Sequence, residues 1–313
     1  EKLKRENRLW FGVDGNSKPS IKRFLTDVKQ GVVPTTWWSF ADAGHNDMSK
    51  KELKALFPEG VPFDTPKPTK LIERMLTIST NPQSSEIILD FFAGSGTTAH
   101  AVMNLNVTES QSGGGARRFI LVQLPEPLDE TKTLSDGMTL DTIADITRER
   151  VRRAGRKIRE EHADAIASRT TPLDTGFRAY KLAPSNFRPW DGVIPAGGIA
   201  QQLSLAANHI EPAADDDAML AELLLRLGYG LTVPAQLEMV AGKRVHNVDQ
   251  GALLICLERE ITLDLIEQLA ARTPNEIICL DAGFRDDQTK VNAGQIIASH
   301  ARDEETSIAF KVV

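Results

Sequence analysis

Ile87-Ile-Leu-Asp-Phe-Phe-Ala-Gly-Ser-Gly-Thr-Thr-Ala-His-Ala-Val102 decides how the rest of the chain is read. An apolar run ends in an acid, Asp90. The chain then turns through Gly94-Ser-Gly96 and resumes with Ala99, Val102 and Met103 at helical spacing. The pattern predicts a buried parallel strand over residues 86–92, a tight turn, and a helix reaching about Leu105. Glycines let a backbone approach a ligand closely, and a helix start leaves N–H donors unpaired. A turn at the carboxyl end of a strand is the usual nucleotide crevice of an open α/β sheet.

The spacing Gly94-x-Gly96-x-x-Ala99 also fits the loose dinucleotide fingerprint, and a glycine turn that binds nothing would read the same way. The flanking residues are more selective. Asp90 before the turn, with Thr97 and Thr98 after it, suits a ligand carrying an ammonium or sulfonium, whereas a pyrophosphate would be repelled. S-adenosylmethionine carries both cations and no phosphate. A second apolar run, Arg117-Arg-Phe-Ile-Leu-Val-Gln-Leu-Pro-Glu126, also ends in an acid. Acids at that position typically accept hydrogen bonds from ribose hydroxyls, so Glu126 is the ribose candidate. The alternative is a loop carboxylate without a role. The glycine-rich loop over residues 108–116 accounts for the long spacing.

Upstream, Pro66-Lys-Pro68 predicts a rigid extended entry into a helix capped by Thr69, with Leu71, Ile72, Met75 and Leu76 on its apolar side. Ser49-Lys-Lys-Glu52 fits a capping box before a helix over residues 52–57. Trp37 and Trp38 are either base-stacking rings or core residues. Downstream, residues 142–158 read as an amphipathic helix with Ile143, Ile146, Val151, Ala154 and Ile158 as its stripe. Seven Lys and Arg between Arg148 and Arg159 form its other face, for DNA phosphates or for solvent.

The segment Asp-Phe-Phe-Ala-Gly-Ser-Gly-Thr-Thr, residues 90–98, resembles the cofactor motif of amino-methyltransferases acting on DNA, in the group where that motif follows the catalytic one. A longer match resembles the modification subunit of type III restriction–modification systems. Its further parts are Gly44-His-Asn-Asp-Met-Ser-Lys-Lys-Glu-Leu53, the Pro-Lys-Pro segment, the 117–126 run and Asp281-Ala-Gly-Phe-Arg-Asp-Asp-Gln-Thr-Lys-Val-Asn292. The resemblance covers most of the 313 residues. It implies an S-adenosylmethionine site made of Asp90, Phe92, Gly94, Gly96, Thr97 and Thr98. Pro66 and Lys67 would lie near the methionine carboxylate, a role a lysine suits. The implied fold is α/β: a partial Rossmann-like methyltransferase sheet followed by a small C-terminal α/β domain. The implied reaction is N6 methylation of adenine in duplex DNA, with a restriction subunit of helicase and nuclease type as partner and a homodimer as an open option.

The family's catalytic tetrapeptide is Asp, Asn or Ser followed by Pro-Pro-Tyr or Pro-Pro-Phe. No Pro-Pro pair occurs in this sequence, so no catalytic residue is assigned. In this motif order the tetrapeptide lies upstream of the glycine motif. The chain therefore reads as the C-terminal part of a larger subunit, inactive alone. Two rivals stand beside that reading: a degenerate methyltransferase serving as a scaffold, and a nicotinamide-dependent dehydrogenase.

The expected division is residues 1–60 as the end of a target-recognition region, 61–165 as the cofactor part, and 171–313 as the C-terminal domain. Charge is uneven: residues 1–170 carry 25 Lys and Arg against 23 Asp and Glu, and residues 171–313 carry 12 against 20. The acidic second half is poorly suited to a phosphate backbone. It lacks a catalytic constellation, and a docking or dimerisation platform is the expectation for it. Asp215-Asp-Asp217 reads as a helix start rather than a metal site. Cys256 and Cys279 sit in apolar runs without zinc spacing, which fits a reducing cytoplasm. No apolar run reaches about 18 residues, so a membrane span is not expected.

Overall fold

The computed structural model describes residues 1–28, 31, 33–109, 115–169, 172–187, 210–211, 214–303 and 307–313. Parts of three sequence readings lie outside the described residues: the glycine-rich loop at 110–114, the linker at 170–171 and a turn at 188–190. The chain divides into two compact units, Glu1–Phe177 and Arg178–Val313. The class is mixed α/β, with four separate sheets among the described residues.

In the first unit, helix α1 is Asn46–Leu56 and α2 is Thr69–Ser79. Strand β1, Ile87–Asp90, leads through the glycine turn into α3, Thr97–Thr108. Strand β2, Arg118–Leu121, pairs with β1 in parallel, Ile87 opposite Arg118 and Asp90 opposite Leu121. A hairpin follows, β3 (Pro127–Thr133) and β4 (Thr139–Thr142), and then the long helix α4, Ile143–Glu161.

Alternation divides the faces of the β1–β2 pair. Ile88 and Phe119 pack against Ile72, Leu76, Val102 and Leu105 from α2 and α3. Ile87, Leu89 and Ile120 point the other way and are half or more exposed. Helix α3 is apolar or small on nearly every side, as a helix enclosed by protein must be, and residues 97–103 are all buried. Helix α4 starts at a capping box in which Thr142 and Asp145 satisfy each other's backbone N–H groups. Its stripe of Ile146, Val151, Ala154 and Ile158 closes a core with Leu53, Leu56, Phe57 and Met103. Each large aliphatic there contributes about 1.5–3 kcal/mol by leaving water.

The second unit is built on one five-stranded sheet. Its strands are β5 (Ala235–Val240), β6 (Lys243–Val248), β7 (Leu253–Cys256), β8 (Glu276–Cys279) and β9 (Ala309–Val312), in the order β9-β8-β7-β6-β5. The three later strands are parallel, and the β5–β6 hairpin joins them antiparallel. Helix α5 (Asp216–Arg226) covers one face; α6 (Leu263–Ala270) and α7 (Asp287–Asp303) cover the other. Residues inside the sheet are therefore buried from both sides and read as unbroken apolar runs, Leu-Leu-Ile-Cys and Ile-Ile-Cys.

Several elements differ from the sequence reading. The first strand stops at Asp90 because the Phe92 N–H turns back onto Asp90 Oδ1, 3.1 Å. Ser49 and Glu52 form no cap: α1 begins earlier, at Asn46, with His45 Nδ1 accepting from Met48 N. The residue before α2 is Pro68 rather than Thr69, which is already helical. The alternating run 176–182 forms no strand; Arg178 and Tyr180 both reach the Leu231 carbonyl instead. Asp215 caps α5 through Ala218 N, and no group of acids, His and Cys able to hold a metal occurs among the described residues. Cys256 and Cys279 are fully buried. Among the described residues no helix is long and apolar enough to cross a membrane.

The 281–292 segment has a structural account. Asp281 N bonds the Val313 carbonyl at 2.7 Å, Lys290 pairs with Asp281, and Asp286 accepts from Thr289 N at the start of α7. Gly283 presses against the Glu258 carbonyl, where a side chain would stand at 2.5 Å. The segment therefore ties the last strand to the sheet.

Candidate functional site

The site grows from the bend after β1. Asp90 is half-buried and closes the bend on itself: Oδ1 accepts from Phe92 N, and Oδ2 accepts from Thr98 Oγ1 at 2.5 Å. A carboxylate has about four acceptor positions, so two remain for a ligand donor. Phe92 is 81% exposed and Phe91 61%, their rings 5.1 Å apart. Both are apolar surface left open beside a polar turn.

Gly94 and Gly96 both have positive φ, +53° and +83°. The Gly94 N–H is taken by Gln123 Oε1 at 2.7 Å. Gly96 is the αL residue ahead of α3, and no side chain caps that helix. A Cβ on Gly96 would stand 3.1 Å from the Thr147 carbonyl and 3.3 Å from Val151. The missing side chain of Gly96 thus lets α4 close on the turn from behind, and the start of α3 keeps N–H groups without a side-chain cap.

Thr97 and Thr98 are buried. The Thr97 hydroxyl donates to the Lys67 carbonyl, 3.2 Å. That bond brings the Pro-Lys-Pro segment beside the glycine turn, 30 residues apart in sequence. Pro66 is buried and its carbonyl accepts from Ser49 Oγ at 2.7 Å, while the Lys67 side chain is exposed. Glu52 holds Thr69, accepting from both its N–H and its hydroxyl. Glu126 lies apart. It is five residues beyond the end of β2, is exposed, and lends its carbonyl to Ile143 N at the foot of the hairpin. Val122 and Gln123 of that segment bond the turn, at Ala93 N and Gly94 N.

Sequence reasoning missed the layer behind the turn. Arg150 is fully buried, and its Nη1 donates to Ser95 Oγ and Thr97 Oγ1, 2.7 Å each. Burial pushes this guanidinium down to about 10, against which the Glu52 carboxylate acts. Thr147 Oγ1 donates to the Gly94 carbonyl. His100, one turn into α3, is buried with Nδ1 unpartnered among the described residues; burial first, then Arg150 and Lys157, lower it to about 3. A signal existed: Arg150 is four residues from both Ile146 and Ala154, so a cation stands inside the apolar stripe.

The cations of α4 are largely paired with groups of the first unit, several of them while still partly exposed. Arg148 pairs with Asp145, Arg152 with Glu149, Arg153 with Glu149 and Glu59, and Lys157 with Glu161. Arg159 donates to Thr175. With Arg150, six of the seven cations have partners inside the first unit. Trp38 donates Nε1 to the Thr35 carbonyl and its ring lies under Arg74, whereas Trp37 is exposed.

A parallel strand, an acid-closed glycine turn and an uncapped helix start define an α/β protein whose turn lies at the carboxyl end of a strand, the usual position of a ligand crevice. Comparison with known sequences finds relatives that include this turn. Residues 3–123 match the N6/N4 methyltransferase family profile, described as DNA methylase. The chain is 31% identical over 295 residues to the type III restriction–modification enzyme StyLTI Mod subunit of Salmonella typhimurium, covering 86% of this chain and 43% of that protein. It is 32% identical over 302 residues to the EcoP15I Mod subunit of Escherichia coli, covering 91% and 40%. A shorter match, 34% over 111 residues, is to the type II methyltransferase M.KpnI of Klebsiella pneumoniae, covering 36% of this chain and 24% of that one. Residues 3–123 thus resemble the N6/N4 DNA methylases, and most of the chain is similar to part of the type III Mod subunits. It spans about two fifths of the length of those two Mod subunits.

Proposed function

We propose that this chain is the S-adenosylmethionine-binding portion of a site-specific DNA methyltransferase that modifies adenine N6 in a type III restriction–modification system. The observation that supports it best is the Thr97–Lys67 bond. It sets an exposed lysine, an uncapped helix start and an acid beside one another, the set of charges that a zwitterionic sulfonium ligand matches. The open Phe91 and Phe92 rings add an apolar surface for an adenine face. The residues present fit the group.

When bound, the cofactor supplies an electrophilic methyl group that an exocyclic amine can displace from sulfur. The chain's own residues bind and orient. Lys67 and Pro66 lie at the methionine carboxylate, and Asp90 offers acceptors to the ammonium. Gly94, Gly96, Thr97 and Thr98 shape the turn, Phe92 borders the adenine, and Glu126 is the candidate for the ribose hydroxyls. No residue here is assigned to proton removal from the amine, since the Pro-Pro tetrapeptide is absent from the sequence.

The finer fold follows the same reading. A two-stranded parallel sheet with one apolar face open is incomplete by itself, because parallel sheets are covered on both faces. We take β1 and β2 as part of a Rossmann-like sheet, with the remaining strands and the catalytic tetrapeptide in the length of the relatives that this chain does not span. Duplex DNA and a restriction subunit are the partners that reading implies, and the second unit is the platform for docking or dimerisation.

Calorimetric titration tests the site. S-adenosylmethionine should bind the chain, NAD should not, and Asp90→Ala and Lys67→Ala should each weaken the methyl donor about tenfold or more. NAD binding at the turn would replace this reading with a dehydrogenase one. The chain by itself should not methylate DNA.

A further inference from the structure

Arg150 occupies a position that the helix period reserves for an aliphatic side chain. Burying a guanidinium there is unfavourable unless specific bonds require it. Its Nη1 holds both hydroxyls of the turn, Ser95 and Thr97. The Thr97 hydroxyl then donates to the Lys67 carbonyl. On the far side of the Pro-Lys-Pro segment, α1 supplies Ser49 to Pro66 and Glu52 to Thr69. The two sequence motifs are therefore joined through one relay, Arg150 to Thr97 to Lys67, with α4 and α1 as its two jaws. Nε and Nη2 of Arg150 are buried without an acceptor among the described residues, so the whole directed bonding of this cation goes to the turn.

We propose that Arg150 is a positioning residue that locks the Pro66–Lys67 segment to the glycine turn and thereby selects ligands that carry an amino-acid end. The inference rests on the S-adenosylmethionine reading of the site. A cation that served only packing would affect every ligand alike. A lock between Lys67 and the turn matters most for a ligand that spans both.

Two measurements on Arg150→Met and Arg150→Lys decide it. The first is amide hydrogen exchange, which needs no ligand. In Arg150→Met, the Lys67 and Thr69 amides and those of residues 94–98 should exchange faster together while the second unit stays unchanged. The second compares S-adenosylhomocysteine with 5′-methylthioadenosine, which lacks the amino-acid end. Arg150→Met should lose about tenfold for the former and stay within about twofold for the latter. Arg150→Lys, which keeps a charged donor, should recover part of the loss. Should Arg150→Met fail to fold, Thr97→Val removes the relay hydroxyl without touching the charge and should give the same pattern. Equal weakening of both nucleosides, or faster exchange in only one of the two segments, would overturn the proposal. If the unsubstituted chain bound neither nucleoside, the cofactor reading would fall, and the paired exchange would still decide the lock.

Discussion

Gly96 has a left-handed φ of +83° and only 3.1 Å between an added Cβ and the Thr147 carbonyl. Gly96→Ala should therefore cost about 2 kcal/mol from backbone and contact strain together, read as a lower denaturant midpoint for the first unit. His100 gives that unit a pH dependence. Unfolded, it titrates near 6.5; folded, it stays neutral down to about 3. Below 6.5 the unfolded chain binds the extra proton, so stability is full above that pH and falls as pH drops toward 3. The slope is at most about 1.4 kcal/mol per pH unit, or about 2 kcal/mol lost at pH 5. His246 acts with the same sign in the second unit, its imidazole lowered chiefly by burial. Comparing melts at pH 7.5 and 5.0, His100→Gln should narrow the gap for the first unit and leave the second unit's alone. At this scale the residues of the turn were legible, because Asp90, the glycines and the threonines lie in one short stretch. The buried layer was not. Arg150 and Gln123 act across 53 and 29 residues, and only the fold brings such pairs together.

Among the elements, α4 was readable because its two signals agree. Thr142-x-x-Asp145 marks its start, and the 3.6-residue stripe marks its buried side. Thr142→Ala should destabilise the first unit by about 1 kcal/mol, since a half-buried helix start loses its acceptor. The hairpins were not legible. The β5–β6 turn is Ala241-Gly242, both with positive φ, and lacks the Asn-Gly or Asp-Gly pair that usually announces a two-residue hairpin. Gly242 has open space around it, so Gly242→Ala isolates the backbone term and should cost about 1 kcal/mol in the second unit's unfolding. The β3–β4 hairpin escaped for another reason. Pro-Leu-Asp-Glu-Thr-Lys-Thr has few apolar residues, and its Lys132 and Thr131 bond Glu59 and Asp141 instead of filling a core.

For the whole molecule, the two units differ in how complete they are. The second has a sheet covered on both faces by its own helices, with Leu254, Ile255, Leu265 and Ile277 fully buried. Residues 178–313 should fold when expressed alone and melt cooperatively, as followed by circular dichroism. The first keeps an apolar sheet face open at Ile87, Leu89 and Ile120. Long apolar runs announced the enclosed sheet, whereas the alternating exposure of β1 could not be foreseen, since which face stays open depends on what else packs there.

The two cysteines sit opposite one another on β7 and β8, fully buried, and burial pushes both thiols up. They are the chain's whole supply of thiol, and both belong to the second unit. An alkylating reagent can react only when that sheet parts, and it is blind to every fluctuation of the first unit. Labelling followed by mass therefore serves as a stopwatch built into one half of the molecule. Run on the Gly96, His100 and Arg150 variants, it should keep the same time as on the unsubstituted chain.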